Sequence, residues 1–405
     1  MNGTPLPSTV APDTLPDAGN PQLVAAIRAA IDAAGGHITF AQFMELALYH
    51  PEWGYYLTPA RRPGRSGDFL TAPEAHPFFG ITLARQIAEC WARLGRPEPF
   101  VVREYGAGIG ALAWDIIGGL STESPACRAA LAYRLVEPNR HRLAQALAAF
   151  AAEGLGETVQ GEVIAAGADA ESIAGVVLGN EVADAFAAHR LIWRDGHLRE
   201  GWVIWNGDRF AEEEGELSPA AAAAEPEAML RQHGISLVCG ERIEISPAAM
   251  TWFAAAARGI ERGYAIVIDY GYPAAELYRA HRLAGTVRAH HRHTVSDDPF
   301  AHVGYQDLTA HVDFSALRET GERAGLVFAG QTTQGAFLAS LGMGDLLVAL
   351  GNDRQTTLPE YLAAQAAILR LIDPGGLGRF GVLIMARDAP ISPPLLGFTI
   401  PPLTD

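Results

Sequence analysis

The chain has 405 residues, 49% of them hydrophobic, and a formal charge of −16, so it can bury a large core while its acidic field opposes nucleic acid and anionic membrane surfaces. Its 30 basic residues are all arginine, which removes lysine Schiff-base chemistry, a pyridoxal-phosphate anchor and a P-loop lysine. The three cysteines, Cys90, Cys127 and Cys239, are widely spaced and form no ligand cluster, so free thiols in a reducing compartment and no metal site are expected.

Residues 1–20 are rich in Pro, Thr and Asp and read as a disordered tail with neither signal nor transit character. No apolar run is long enough for a membrane span, and a cytoplasmic protein with no membrane insertion is the expectation. Residues 21–98 read as a helical and lid region. Within it, "HPEWGYYLTPARRPGRSGDFLTAPEAHPFFG" holds too much Gly, Pro and aromatic residue for one regular element. From 99 to 405, short β-rich runs alternate with helical patterns, as in an α/β core built on a parallel sheet. The predicted strands cover 100–105, 132–136, 158–161, 175–178, 265–269, 326–329 and 380–386, and a helix fits 139–152, with Leu143, Leu147 and Phe150 on one face. An insertion at about 188–262 interrupts this rhythm. There "LIWRDGHLREGWVIWNGDRF" carries the hairpin dipeptides Asp195-Gly196 and Asn206-Gly207, and two Ala-rich helices follow around 220–232 and 247–262.

The first predicted strand runs into Glu104-Tyr-Gly-Ala-Gly-Ile-Gly110 and then a helical pattern. Gly106, Gly108 and Gly110 let the backbone turn tightly and approach a ligand, and the helix behind them offers free N–H groups. The turn fits a GxGxG pattern and also the dinucleotide G-x-G-x-x-A pattern with Ala111 last, so a nucleotide-type ligand follows without its identity. Glu104 favours a ligand without phosphate and with positive charge, as in S-adenosylmethionine with its ammonium and sulfonium groups. Glu137, ending the next strand, is placed to accept hydrogen bonds from ribose hydroxyls in either cofactor class. Asn180 and Glu181 follow the fourth strand and Asp269 and Tyr270 the fifth, on the edge where open α/β sheets hold their ligands.

Several blocks lie in collinear order: "GYY" at 54–56, "GDFLTAPE" at 67–74, "EYGAGIG" at 104–110, "LVEP" at 135–138, "GNEVADA" at 179–185, "IDYG" at 268–271, "DLTAHVDF" at 307–314 and "TQGAFL" at 333–338. With these, the chain resembles the MidA family of S-adenosylmethionine-dependent methyltransferases. The resemblance implies a class I methyltransferase fold, that is a Rossmann-like α/β sheet, here with an N-terminal helical and loop extension and an inserted β-meander plus helices. It also implies S-adenosylmethionine as cofactor and transfer to arginine of a partner protein, a respiratory complex I subunit in mitochondrial members. Glu104, Gly106, Gly108, Gly110, Glu137 and Asn180 then become the cofactor residues, with Thr71, Pro73 and Glu74 from the block that reads as a lid. Glu181, Asp184 and Asp269 become the catalytic candidates, with Asp68 and Glu74 closing the site from the N-terminal side. Where many members have a proline and an arginine in the turn, this chain has Ala107 and Ile109, and "AFAAHRL" follows Asp184 in place of a leucine-proline pair. Two rival functions remain at this point, an NAD(P)-dependent oxidoreductase and a non-catalytic assembly scaffold. The histidines at 290, 291 and 293 are too nearly consecutive for a rigid metal site and read as a solvated loop or a partner contact.

Overall fold

The protein is described by a computed structural model that covers residues 19–58, 72–165, 167–279, 283–292 and 294–401. Seven strands form the central sheet: β1 (Phe100–Tyr105), β2 (Leu131–Val136), β3 (Val159–Glu162), β4 (Ile173–Asn180), β5 (Ile260–Asp269), β6 (Val327–Thr333) and β7 (Gly381–Arg387). Their spatial order is β3-β2-β1-β4-β5-β7-β6. The first five run parallel, and β7 lies antiparallel between β5 and β6. This is the class I methyltransferase sheet. All seven predicted strands exist within a few residues of their expected bounds; β1, β4, β5 and β7 are apolar runs largely buried on both faces, as a central place in the sheet requires, while β3 and β6 at the two edges are partly exposed.

Two apolar layers cover the sheet. On one face α3 (Phe78–Arg93), α4 (Ala111–Glu123) and α5 (Arg140–Ala152) pack against Val102, Leu135, Val176 and Ile266. On the other, α6 (Pro247–Arg258) and α7 (Phe314–Arg323) pack against Val101, Val177, Ala265 and Val267. Asn139 caps α5 by accepting from the backbone N–H groups of His141 and Arg142 at 3.1 Å each, which fixes where the chain leaves β2. Arg103 is buried on β1, and its guanidinium donates to Glu162 Oε2 at 2.9 Å; a buried charge needs such a partner to be tolerated.

The division of the chain differs from the expectation in two places. α3 belongs to the core sheet rather than to a separate region ending at 98, since Phe79, Leu83 and Ile87 are wholly buried against it. The residues before it, α1 (Pro21–Ala33) and α2 (Phe40–Tyr49), instead share a core with Val203 and Phe210 of the insertion and with Val303 and Leu308. Ile38 and Thr39 pair with Val203 and Trp202, which joins the two segments edge to edge. The insertion itself is shorter than expected. Its meander, His189–Arg194, His197–Trp205 and Phe210–Gly215, is followed by a strand, Arg242–Ile245, that the sequence pattern did not disclose. The expected helix at 220–232 is broken at Glu225-Pro226, where Pro226 opens a new helix. The expected helix at 247–262 is α6, a core helix that stops at Arg258, and residues from Ile260 are already β5. Among the described residues no single helix is long and apolar enough to cross a membrane.

Candidate functional site

The carboxyl ends of β1, β2 and β4 open onto one cavity of about 890 Å³, within the range that holds a small-molecule ligand, about 300–1,000 Å³. The turn after β1 forms its floor. Gly106, Gly108 and Gly110 all take left-handed φ values, 68°, 56° and 79°, which side chains adopt only at a cost. A Cβ on Gly106 would meet Val182 Cγ2 at 2.7 Å and one on Gly110 would meet Phe150 Cε2 at 2.8 Å, whereas one on Gly108 would meet nothing within 4 Å. Two of the glycines therefore serve packing, and Gly108 leaves open space beside the cavity.

Glu137 stands at the end of β2, buried, and lines the cavity. Its Oε2 accepts from the Gly108 N–H at 2.8 Å and its Oε1 from the Asn139 N–H at 2.9 Å, so it first holds the glycine turn in shape. Burial raises its carboxyl above the usual range, opposed by those two hydrogen bonds. Glu104 also lines the cavity and is only 4% exposed. Burial pushes its pKa up to about 8, against the Tyr133 hydroxyl, which donates to Oε2 at 2.7 Å. Ligand-free Glu104 is thus largely protonated at neutral pH, not the fixed negative charge that the sequence implies.

The third strand end gathers acids. Asn180 ends β4 and Glu181 follows it; Asn180 Nδ2 donates to Glu181 Oε1 at 3.1 Å, and the Asn180 Oδ1 is buried with no hydrogen-bond partner. Glu181 holds a left-handed backbone with φ 53°, and its Oε1 accepts from the Ala72 N–H at 2.9 Å. That contact fastens the short helix Ala72–Ala75 to the rim, with Pro73 lining the cavity. Asp184 lines the cavity too, and its carboxyl is raised well above the ordinary range by burial and then by Asp269, Asp307 and Glu181. Thr71 and Asp68 fall outside the described residues, as does the side chain of Glu74.

Asp269 has a different place from the one expected. It is 0% exposed and is not among the residues that line the cavity. Its Oδ2 accepts from the Val182 and Ala183 N–H groups at 3.0 and 2.7 Å, and its Oδ1 from the Tyr270 N–H at 2.8 Å. With both oxygens engaged by backbone, Asp269 shapes the Glu181–Asp184 loop and acts as a positioning residue. Sequence reasoning assigned no role to the wall opposite. There Tyr56 donates its hydroxyl to Asp307 Oδ1 at 2.8 Å, Tyr49 stacks on Tyr56 with ring centroids 5.4 Å apart, and Glu45 completes the rim. Tyr56 and Asp307 lie in two of the collinear blocks, which was the available signal. Trp252 of α6, in no such block, also lines the cavity.

Residues 82–332 match the family model of S-adenosyl-L-methionine-dependent methyltransferases. The chain belongs to the MidA family of these enzymes. A mitochondrial protein arginine methyltransferase NDUFAF7 homolog from Drosophila melanogaster is 28% identical over 80% of this chain and 75% of its own length. The protein arginine methyltransferase NDUFAF7 of Mus musculus, also mitochondrial, is 27% identical over 76% of this chain and 71% of its own. A crystal structure from Burkholderia thailandensis, bound to S-adenosyl-homocysteine, superposes with a TM-score of 0.83 at 33% identity, covering 95% of this chain and 98% of that one. This MidA-family chain is therefore an S-adenosylmethionine-dependent methyltransferase, and the dinucleotide reading of the glycine turn is set aside.

Proposed function

We propose that this MidA-family enzyme methylates arginine side chains of a partner protein, for which the resemblance makes a respiratory complex I subunit the first candidate. The observation that carries the reading is the crowding of carboxylates around Asp184. Burial, Asp269, Asp307 and Glu181 all oppose its ionisation, and an entering cation relieves that opposition. A guanidinium, planar and with five donors, suits several carboxylates at once.

The residues fit the cofactor on two observations, the open space beside Gly108 and the unpartnered buried oxygen of Asn180. In this reading Gly108 admits the cofactor, with Gly106 beside it and Gly110, expected among the cofactor residues, outside the lining and packed against Phe150; Glu137 receives the ribose hydroxyls on its remaining lone pairs, and Glu104 and Asn180 face the cationic methionine end. Pro73 closes the rim. When bound, S-adenosylmethionine supplies a methyl group activated by its sulfonium. Asp184 and Glu181 orient one guanidinium nitrogen toward that methyl and take the proton that nitrogen loses as the N–C bond forms.

The test supplies the protein with S-adenosylmethionine carrying a deuterated methyl and with arginine-containing peptides, and locates the label by mass spectrometry. Label on arginine, reduced at least 100-fold in Asp184→Asn while S-adenosylhomocysteine still binds, is the expected result. Label on another residue type, or undiminished transfer in the variant, would overturn the reading.

A further inference from the structure

Trp252 is 3% exposed, and its indole Nε1 is buried with no hydrogen-bond partner. Leaving such a donor unsatisfied is destabilising, and buried polar groups of this kind are rare enough to need an explanation. The ring is held firmly. It stacks on Phe186 with centroids 5.5 Å apart and meets Tyr105 edge-on at 5.7 Å, and a Cβ on Gly179 would press it at 3.0 Å. α6 is itself pinned by Ser246, whose hydroxyl accepts from the Ala249 N–H at 3.1 Å and donates to the Ala187 carbonyl at 2.9 Å. The indole cannot easily turn to find an acceptor elsewhere.

Trp252 lines the cavity with Ala248 and Thr251 from the preceding turn of α6 and Val163 and Ile164 from the loop after β3. None of these five side chains carries a charge, whereas Glu104, Glu137, Glu181, Asp184 and Asp307 line the same cavity. A ligand whose ribose is held at Glu137 and whose charged end meets the acids leaves the uncharged wall to its uncharged base.

We propose that Trp252 reads the cofactor's base, its indole N–H donating to a ring nitrogen of adenine. The donor that has no acceptor in the protein is then satisfied by the ligand, and Phe186 and Tyr105 hold it in the orientation the base requires. Helix α6 thereby becomes a specificity element for the purine, although it follows the insertion in the chain and carries none of the glycine or acid motifs.

The test measures binding of S-adenosylhomocysteine and of its 1-deaza, 3-deaza and 7-deaza forms to the intact protein by calorimetry. In each analogue one ring nitrogen is replaced by CH, which removes one acceptor and leaves the shape. One of the three binds the wild-type protein about tenfold more weakly than S-adenosylhomocysteine, the worth of one buried hydrogen bond. Trp252→Phe, which keeps an aromatic ring, binds S-adenosylhomocysteine about tenfold more weakly and no longer distinguishes it from that analogue. A purely structural role for Trp252 would weaken all four ligands equally and leave the discrimination in place. The proposal is overturned if the wild type binds all three analogues as well as S-adenosylhomocysteine, or if Trp252→Phe retains the same preference. Neither result bears on whether arginine is the methyl acceptor.

Discussion

Glu104 carries a cost that changes with pH. Its carboxyl goes from an ordinary value of 4.5 to about 8 in the folded, ligand-free protein, so between those values the folded state binds a proton that the unfolded state has released. Stability then falls as pH rises through that window. Glu104→Gln removes the titration and keeps the shape. The variant melts with the wild type at pH 5 and at a progressively higher temperature up to about pH 8, beyond which the gap stays constant. Its affinity for S-adenosylmethionine at pH 8.5 is lower by about tenfold, the worth of one pKa unit of interaction with a cation; differential scanning calorimetry and titration calorimetry check the two halves. A charge at position 104 was legible in the sequence, but its protonation was not, because that depends on burial beside Tyr133. Asp269 teaches the same lesson. An acid at a strand end can face a ligand or shape the next loop, and only the three backbone N–H groups pointing at Asp269 decide between them.

Among the elements, the turn after β1 divides its labour between three glycines with similar backbone angles. Each substitution by alanine pays for a left-handed backbone, about 1–2 kcal/mol. Gly110→Ala also drives a methyl into Phe150, so it lowers the denaturant midpoint more than Gly108→Ala does. Gly108→Ala has open space around its methyl and loses S-adenosylhomocysteine affinity instead, which paired chemical denaturation and calorimetry separate. The seven strands and α5 were legible because short apolar runs bounded by turn residues mark the strands, and α5 has the period of an amphipathic helix. The broken helix around Glu225 and the strand Arg242–Ile245 were not. The alanine run around 220 masked the restart that Pro226 signals, and Arg242–Ile245, which alternates charged and apolar residues, has no apolar run to mark it.

On the scale of the whole molecule, the sheet buries two thiols and leaves one outside. Cys90 and Cys127 are buried and Cys239 is exposed; burial drives the Cys90 thiol up and the Cys127 thiol up to about 12, so neither offers thiolate at neutral pH. Ellman's reagent therefore titrates one thiol in the native protein and three in denaturant. Rapid native reaction of all three would mean that the α3 and α4 layer opens far more easily than its packing implies. The core that α1 and α2 share with the insertion was the least legible part of the molecule. It is assembled from the N-terminal helices, the insertion and the segment around Val303 and Leu308, and no local pattern announces that such distant segments share a core.

That composite core also sets an order in time. A nascent chain that has released β4 already contains Glu104, the glycine turn, Glu137 and Asn180, which stand at the strand ends that open onto the cavity. Tyr56 is synthesised earlier still, yet its hydroxyl partner Asp307 lies 251 residues further on. Contacts so far apart in sequence form late. The wall of Tyr56 and Asp307 is therefore completed only after residue 307 has been made, later than every residue of the glycine turn and both acids, Glu104 and Glu137, beside it.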